Sequence, residues 1–354
     1  MHTLNRILQA GKLVPALEQA LHARYSVHRL ADEPDPAAFL AEHGAQFDAV
    51  VTSAAIGLPA QHLAALPSVK VISSFGVGLD KVPVEEAKAR GIAVGYTPDV
   101  LNDCVADTAF ALLLDVARRT AEADRFVRAG QWARLGGNSF GLGRKVSGAR
   151  MGVVGMGRIG QTIARRSLGF DMEVRYHTRR PVTGVPWAHE PSLTALATWC
   201  DFLVVITSGV PSTRHLINEE VLNALGPRGF LINVARGTVV DEAALIRALQ
   251  DGRIAGAGLD VFENEPQVPE VLTGHGQRGA AAAHCQRHPR NPPGHGPARH
   301  GQPGRLRAHG AADLSRLLNT PLFLFANHSH DHETQPHRRP MDRRRPHLPE
   351  HQPL

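Results

Sequence analysis

The stretch RMGVVGMGRIGQTIARRSLGF, Arg150–Phe170, decides the fold of this 354-residue chain. An apolar strand, MGVV, leads into Gly155, Gly157 and Gly160, and a helix is predicted to begin near Ile159. In this G-x-G-x-x-G spacing the first glycine makes a tight turn, the second lets a pyrophosphate approach the backbone, and the third lets helix and strand pack closely. Free N–H groups at the start of the helix attract the phosphates. The stretch therefore predicts a dinucleotide-binding unit.

Short segments rich in Val and Ile flank this turn on both sides. FDAVVTSAAIGLP, VKVISSFGVGLD and GIAVGYTPDV precede it, and MEVRYHT, CDFLVVIT, GFLINVARG and IAGAGLDVF follow it. Between the two series, Val100–Arg119 has apolar residues at helical spacing and a basic end. Alternating strands and helices in two blocks predict an α/β fold with two doubly wound parallel-sheet domains, joined by this long helix.

The distribution of charge argues against nucleic acid as a partner. The net charge of +6 and a pI near 9.6 would be consistent with a nucleic-acid-binding protein. However, 12 of the 39 basic residues and only 5 of the 33 acidic ones lie from Thr273 onward, which leaves residues 1–272 with a charge of −1. The basic character therefore belongs to the end of the chain alone.

The sequence predicts a soluble cytoplasmic protein. No run of about 18 apolar residues is present, so we expect no membrane span. The first residues carry mixed charges and do not resemble a signal peptide. Cys104, Cys200 and Cys285 include no C-x-x-C pair, which predicts neither a disulfide framework nor a metal site.

The end of the strand after the glycine turn indicates which dinucleotide binds. An Asp or Glu there would hold the 2′-hydroxyl of NAD. The strand ends instead in Thr178, Arg179 and Arg180, and two guanidinium groups suit a 2′-phosphate. We therefore predict NADP as the cofactor, with NAD as the alternative if these residues form only a solvated basic turn.

The motifs INVARGTVVDEAAL and GAGLDVFENEP bring the chain close to a known family. Together with FGVGLD, the glycine turn and YHTRR, in this order, they resemble the D-isomer-specific 2-hydroxyacid dehydrogenases, and most of all the glyoxylate and hydroxypyruvate reductases. The resemblance runs from about residue 5 to residue 272. It implies hydride transfer between a nicotinamide and a small 2-keto acid, in a homodimer.

The resemblance also implies the roles of individual residues. Arg236 of NVARG would hold the substrate carboxylate and polarise the carbonyl, which suits a fixed guanidinium fork. Backbone amides around Val77 and Gly78 would hold the same carboxylate. Glu265 would orient a catalytic His and raise its pKa, and Asp260 would contact the nicotinamide carboxamide.

Further cofactor contacts and the domain limits follow from the same resemblance. The remaining cofactor-binding residues that we predict are Arg158, Ile159, Thr207, Val234, Ala235 and Arg236. A flavodoxin-like substrate domain would cover residues 1–100 and a Rossmann cofactor domain residues 101–272. Residues 273–354, which are rich in Pro, Gly, Arg and His, are predicted to be disordered.

That final segment departs from the family. The family's acid–base His stands in a PHIAS-like motif about eighteen residues after the Glu, but residue 283 is Ala and PHIAS does not occur. Codons for Ala283–His295 read one base out permit His-Ile-Ala-Ser-Ala-Thr-Arg-Glu-Thr-Arg-Gln-Ala, which is family-like. We interpret the segment as a frameshift near Thr273 or Gly274. The chain would then lack the catalytic His, the last strand of the cofactor domain and the C-terminal helix that completes the substrate domain in the family. His284 lies one residue from the lost position, but its neighbours would not let it replace the catalytic His.

Two other readings compete with an impaired reductase. A non-catalytic NAD(P)-binding protein would keep the glycine turn, but it would need neither Arg236 nor Glu265. A metal-binding tail is the second, because 12 of the 20 histidines follow Thr273. Those histidines lack ligand-like spacing on any regular element, so we predict no metal site.

Overall fold

The computed structural model describes residues 6–273 and the backbone of the short segment 282–283. The chain forms two parallel sheets, one from the first hundred residues and one from the remainder. The predicted α/β class with two doubly wound sheets is confirmed.

The first sheet has the strand order β2-β1-β3-β4-β5, with every neighbouring pair parallel. This is the flavodoxin-like order. Its strands are β1 (Arg6–Gln9), β2 (Ser26–Arg29), β3 (Ala49–Ser53), β4 (Val71–Phe75) and β5 (Ala93–Tyr96), and its helices are α1 (Pro15–His22), α2 (Pro36–His43), α3 (Ala60–Ala64) and α4 (Val84–Ala89).

Two strands of this sheet were not predicted from the sequence. The strand β2 reads SVHR and lies at the sheet edge, where no residue of it is fully buried. The strand β1 reads RILQ, and its Gln9 is buried beside Ile7 and Leu8. Because polar residues interrupt both segments, neither has the continuous apolar run that marked the other strands.

Three helices connect the sheets: α5 (Asn102–Arg118), α6 (Thr120–Arg128) and α7 (Gln131–Leu135). The first confirms the predicted long helix. Its residues Val105, Ala109 and Leu113 share a buried cluster with Met151 and Val153 of the second sheet. The helix therefore packs with the second sheet, which supports a domain boundary near residue 100; the boundaries themselves stay a prediction.

The second sheet has the order β12-β11-β10-β9-β6-β7-β8, also parallel throughout. The order reverses between β6 and β9, as in a Rossmann sheet. Its strands are β6 (Arg150–Val154), β7 (Glu173–His177), β8 (Ala188–His189), β9 (Phe202–Val205), β10 (Phe230–Asn233), β11 (Gly256–Leu259) and β12 (Ala282–Ala283), and its helices are α8 (Arg158–Ser167), α9 (Leu193–Trp199), α10 (Glu219–Leu225), α11 (Glu242–Gln250) and α12 (Glu270–Thr273).

The strand β12 corrects one sequence prediction. The last strand of this domain was expected to be missing, yet Ala282 and Ala283 pair in parallel with Gly258 and Leu259. Pairing at a sheet edge needs only backbone N–H and C=O groups, so even an altered sequence can make it. The rest of the tail predicted to be disordered, residues 274–281 and 284–354, lies outside the described residues, as do His284 and Cys285.

Among the described residues, no helix combines the length and apolar character needed to cross a membrane.

Candidate active site

The glycine turn after β6 has the geometry that its spacing predicted. Gly155 has φ +105°, and a Cβ added there would lie 2.7 Å from the carbonyl oxygen of Ile206. A Cβ at Gly160 would lie 2.1 Å from the carbonyl oxygen of Gly155, so this glycine lets α8 pack against the turn. A Cβ at Gly157 would meet no atom within 4 Å. The space beside Gly157 is therefore open for a ligand.

The helix α8 differs from its neighbours in how it begins. Side chains cap α9, α10 and α11, where Ser192, Asn218 and Asp241 each accept a hydrogen bond from a backbone N–H of the first turn. The N-cap of α8 is Gly157, which has no side chain to accept one. Its first-turn N–H groups therefore have no capping side chain and remain available to a phosphate.

The end of β7 lies directly beside this turn, because the amide of Gly155 donates to the carbonyl oxygen of His177 at 2.9 Å. The following Thr178 donates from its Oγ1 to the carbonyl oxygen of Arg180 at 2.6 Å. Arg179 and Arg180 are exposed, and neither forms an ion pair within the described part of the chain. Both guanidinium groups can thus bind an anion beside the glycine turn, and the donor set fits a dinucleotide phosphate.

Arg158, the first residue of α8, reaches toward the end of the first sheet. Its Nε lies 3.2 Å from Asp99 Oδ1, and its Nη1 donates to the hydroxyl of Tyr96 at 3.4 Å. The hydrogen bond with Tyr96, together with the charge of Asp99, raises the pKa of Arg158. The side chain of Ile159 packs partly against the core below the turn, so its backbone is what it offers to a ligand.

The other predicted cofactor residues lie where β9, β10 and β11 end. The amide nitrogen of Thr207 would be 3.0 Å from a Cβ at Gly155. Val234 and Ala235 have buried side chains, so only their backbone can face a ligand. Asp260 is also buried, and its amide donates to the carbonyl oxygen of Asn233 at 3.0 Å. Ligands of doubly wound sheets bind at this carboxyl edge of the strands.

Arg236 brings the two sheets together. Its Nη2 lies 2.8 Å from Oδ2 of Asp80, which follows the FGVG loop at the end of β4. A Cβ at Gly78 would lie 2.3 Å from the same Nη2, so the guanidinium group rests against this loop. Within the described residues, the amides of Val77 and Gly78 donate no hydrogen bond. The structure thus places the three predicted substrate-binding residues next to one another.

Glu265 lies in the turn after β11 and is exposed. Its Oε1 accepts a hydrogen bond from the amide of Phe262 at 3.0 Å. The neighbouring Glu263 is anchored more firmly, because its Oε1 accepts from Arg214 at 2.7 Å and lies 2.9 Å from Nε2 of His215. These contacts fix the turn and leave the second carboxylate oxygen of Glu265 for another partner.

Sequence reasoning missed several residues that shape the site. Asp80 closes the quoted motif FGVGLD, and its acidic side chain directly after a glycine loop was the available signal. Asn233 precedes the VARG residues; its Oδ1 accepts from the amide of Ala235 at 3.1 Å, and its Nδ2 donates to the carbonyl oxygen of Arg236 at 3.1 Å. His215 helps to fix the turn of Glu265 through its contact with Glu263. This contact had no local signal, because the two residues are 48 positions apart in the sequence.

Thiol and metal chemistry find no support in the described part of the chain. Burial raises the pKa of the Cys200 thiol to about 12, so the thiol stays neutral in the core. Cys104 is exposed. No cluster of three or more His, Cys, Asp or Glu side chains capable of holding a metal occurs among the described residues.

The fold and the site together define a dinucleotide-dependent oxidoreductase. The sequence model of the D-isomer specific 2-hydroxyacid dehydrogenase NAD binding domain matches residues 110–282. The chain belongs to this family of NAD(P)-dependent enzymes. The sequence-based family assignment is thereby confirmed.

Relatives and solved structures agree with this assignment. Hydroxyphenylpyruvate reductase of Plectranthus scutellarioides is 45% identical over 73% of this chain and 82% of its own length. Glyoxylate/hydroxypyruvate reductase A of Arabidopsis thaliana is 43% identical over the same shares. A crystal structure of NADPH-dependent glyoxylate/hydroxypyruvate reductase from Sinorhizobium meliloti, in complex with NADP and malonate, is 44% identical with a TM-score of 0.69, covering 77% of this chain and 83% of that one.

Proposed function

We propose that this protein is built to reduce a small 2-keto acid, glyoxylate or hydroxypyruvate, to the D-2-hydroxy acid with NADPH. The observation that carries the proposal is the position of the Arg236 guanidinium group against the loop of Val77 and Gly78. The guanidinium group of Arg236 and the backbone amides of Val77 and Gly78 lie together there, on loops that follow strands of two different sheets. Arg236 follows β10. This strand pairs with β9, which in turn pairs with β6, the strand that leads into the glycine turn.

The substrate would be bound by its carboxylate. The amides of Val77 and Gly78 can donate to one carboxylate oxygen, and Arg236 can donate to the carboxylate and to the adjacent keto oxygen. Donors fixed before the reaction stabilise the charge that develops on the keto oxygen. This accounts for the use of an arginine, whose planar fork matches a 2-keto acid better than a lysine would.

NADPH supplies the hydride when it is bound. The open face of Gly157 and the uncapped helix of Arg158 and Ile159 would hold its pyrophosphate, and Thr178, Arg179 and Arg180 its 2′-phosphate. The backbones of Thr207, Val234 and Ala235 would line its path along the sheet edge, with Asp260 at the nicotinamide carboxamide.

Proton delivery is the weak step of this chain. Glu265 would orient an acid–base His, but the residue at the corresponding place is Ala283. The match to the family's NAD binding domain ends at residue 282, directly before it. We propose that a frameshift near Thr273 has removed this His, and that turnover is impaired while the binding residues remain.

The choice of keto acid rests on relatives of nearly equal identity. The plant hydroxyphenylpyruvate reductase and the plant glyoxylate/hydroxypyruvate reductase are 45% and 43% identical to this chain. We favour the small keto acids because the Sinorhizobium meliloti protein, 44% identical, is likewise named a glyoxylate/hydroxypyruvate reductase. An aromatic keto acid is the second candidate.

A titration and a rate assay test the proposal together. NADPH and NADH binding would be followed by cofactor fluorescence, and NADPH oxidation would be recorded with glyoxylate, hydroxypyruvate and hydroxyphenylpyruvate. We expect NADPH binding, slow oxidation that is fastest with a small keto acid, and none in an Arg236→Ala variant. NADPH binding without any effect of the three keto acids, even in the frame-restored protein, would instead favour a non-catalytic dinucleotide-binding protein.

We also propose a homodimer in the cytoplasm. Four large apolar side chains of the segment 120–142 are exposed, with exposed fractions between 52% and 97%: Val127, Trp132, Leu135 and Leu142. No residue of α6 or α7 is buried. A second copy covering this segment would remove the apolar surface from water. The cytoplasmic location rests on the sequence, whose three cysteines predict no disulfide framework.

A further inference from the structure

The ion pair between Arg236 and Asp80 links the two sheets at the substrate site. Asp80 belongs to the loop after β4, and Arg236 belongs to the loop after β10. Only 16% of the Asp80 side chain is exposed, against 42% for Arg236. The carboxylate is thus largely withdrawn from solvent, while part of the guanidinium group remains accessible.

Two glycines that contact the Arg236 side chain allow this arrangement. A Cβ at Gly78 would lie 2.3 Å from Nη2 of Arg236 and 3.1 Å from Oδ2 of Asp80. Along the same side chain, a Cβ at Gly209 would lie 2.5 Å from Cγ of Arg236. The arginine side chain therefore lies closely against two glycines, and a larger residue at either one would displace it.

Two nitrogens of the guanidinium group are held by two different partners. Nη2 pairs with Asp80, and Nη1 donates to the carbonyl oxygen of Ala235 at 2.7 Å. A guanidinium group has five N–H donors, so donors remain for a ligand. The pairing with Asp80 therefore restricts the rotation of the arginine and leaves N–H donors for a ligand carboxylate.

We propose that Asp80 is the positioning residue that holds Arg236 beside the amides of Val77 and Gly78 for the substrate carboxylate. The inference rests on the proposed function of this site and adds a residue to it. Without Asp80, the long arginine side chain would regain rotational freedom, and a ligand would have to order it again on binding.

A positioning role of Asp80 and the charge of Asp80 alone predict opposite effects of its removal on anion binding, so an experiment can distinguish them. Removing a negative charge beside Arg236 should strengthen the attraction of an anion. Removing a positioning contact should weaken its binding. Asp80→Ala removes both charge and contact, whereas Asp80→Asn removes the charge and keeps an oxygen that can accept from Nη2.

The experiment measures oxamate, an unreactive analogue of a 2-keto acid, binding to the full chain in the presence of NADPH. We expect Asp80→Ala to weaken oxamate binding by about tenfold or more, as for a lost bond to a charged group, and Asp80→Asn to restore most of it. Asp124→Ala, which breaks an exposed 2.8 Å pair with Arg128, is the matched control and should change nothing. Unchanged or tighter binding in Asp80→Ala overturns the proposal.

A second measurement separates this inference from the proposed function. Phenylglyoxal modifies accessible arginines, and peptide mass spectrometry gives the rate at Arg236 with Arg179 as the internal reference. We expect Asp80→Ala to speed modification of Arg236 severalfold and to leave Arg179 unchanged. Absence of oxamate binding to the unsubstituted chain would count against the proposed function, while an unchanged rate at Arg236 would overturn the role of Asp80.

Discussion

The choice between the two nicotinamide dinucleotides depends on single residues at the end of β7. Arg179 and Arg180 follow a strand whose last carbonyl group is bonded to the glycine turn. A 2′-phosphate at that point would meet two exposed cations, whereas a 2′-hydroxyl would find no carboxylate among Thr178, Arg179 and Arg180. The sequence and the geometry therefore both favour NADPH.

We expect Arg179→Ala to weaken NADPH binding by about 1–3 kcal/mol, since a charged hydrogen-bond partner of the phosphate is lost. NADH binding should stay nearly the same. Fluorescence titration of both cofactors measures the difference. Arg228→Ala is the control, because this exposed arginine precedes β10 at the opposite end of the strands. Equal weakening of both cofactors would show that the arginine does not read the 2′-phosphate.

At the scale of the element, the strand–turn–helix unit of β6 and α8 uses its glycines for different purposes. Gly160 serves the packing of the helix, because a Cβ would contact the Gly155 carbonyl oxygen at 2.1 Å. Gly157 serves no contact within the protein, because a Cβ there would meet nothing within 4 Å. Stability and cofactor binding should therefore respond separately to substitution.

We expect Gly160→Ala to lower the free energy of unfolding by about 1–3 kcal/mol through overpacking. Gly157→Ala should leave stability nearly unchanged. It should weaken NADPH binding by at least about tenfold, which corresponds to about 1.4 kcal/mol, because the methyl group occupies the pyrophosphate space. Thermal unfolding and cofactor titration measure the two effects. Gly169→Ala, also in open space, should change neither. Full NADPH affinity in Gly157→Ala would argue against a pyrophosphate at this turn.

For the whole molecule, we propose that the sequence after Thr273 decides whether binding of cofactor and substrate can lead to turnover. The keto oxygen needs a proton as hydride arrives, and loss of a general acid slows such reactions by about 10²- to 10⁴-fold. We expect the chain as written to reduce glyoxylate and hydroxypyruvate poorly. Shifting the frame by one base near codon 273 should restore NADPH-dependent turnover by a comparable factor, measured at saturating cofactor.

A control within the frame-restored protein tests the reason for this recovery. Replacing the restored His should remove most activity and leave NADPH binding nearly intact. If the unrepaired chain is already fully active, the frameshift interpretation is wrong, and His284 becomes the candidate acid.

The assembly can be tested through the exposed apolar segment. We expect Trp132→Glu or Leu135→Glu to shift a dimer to monomers in sedimentation velocity, because a buried unpaired carboxylate is costly at an interface. Leu168→Glu is the control, since Leu168 is 61% exposed but lies outside the segment 120–142. A dimer that persists in both variants would show that another surface forms the contact.

The sequence by itself determined the class of the fold and predicted most of the candidate site. Glycine spacing, buried Val- and Ile-rich runs and the basic end of β7 are local signals, because turn sterics, strand burial and helix-end electrostatics act over a few residues. They were sufficient for the two-sheet fold and for the positions of Gly155, Gly157 and Gly160.

Only the tertiary structure decided which distant residues meet. Asp80 and Arg236 are far apart in the sequence but their side chains lie 2.8 Å apart. Neighbouring strands likewise determined β1, β2 and β12, whose own residues are polar or too few to mark a strand. Edge pairing and ion pairs between loops depend on what the rest of the chain places opposite them, and no local pattern contains that information.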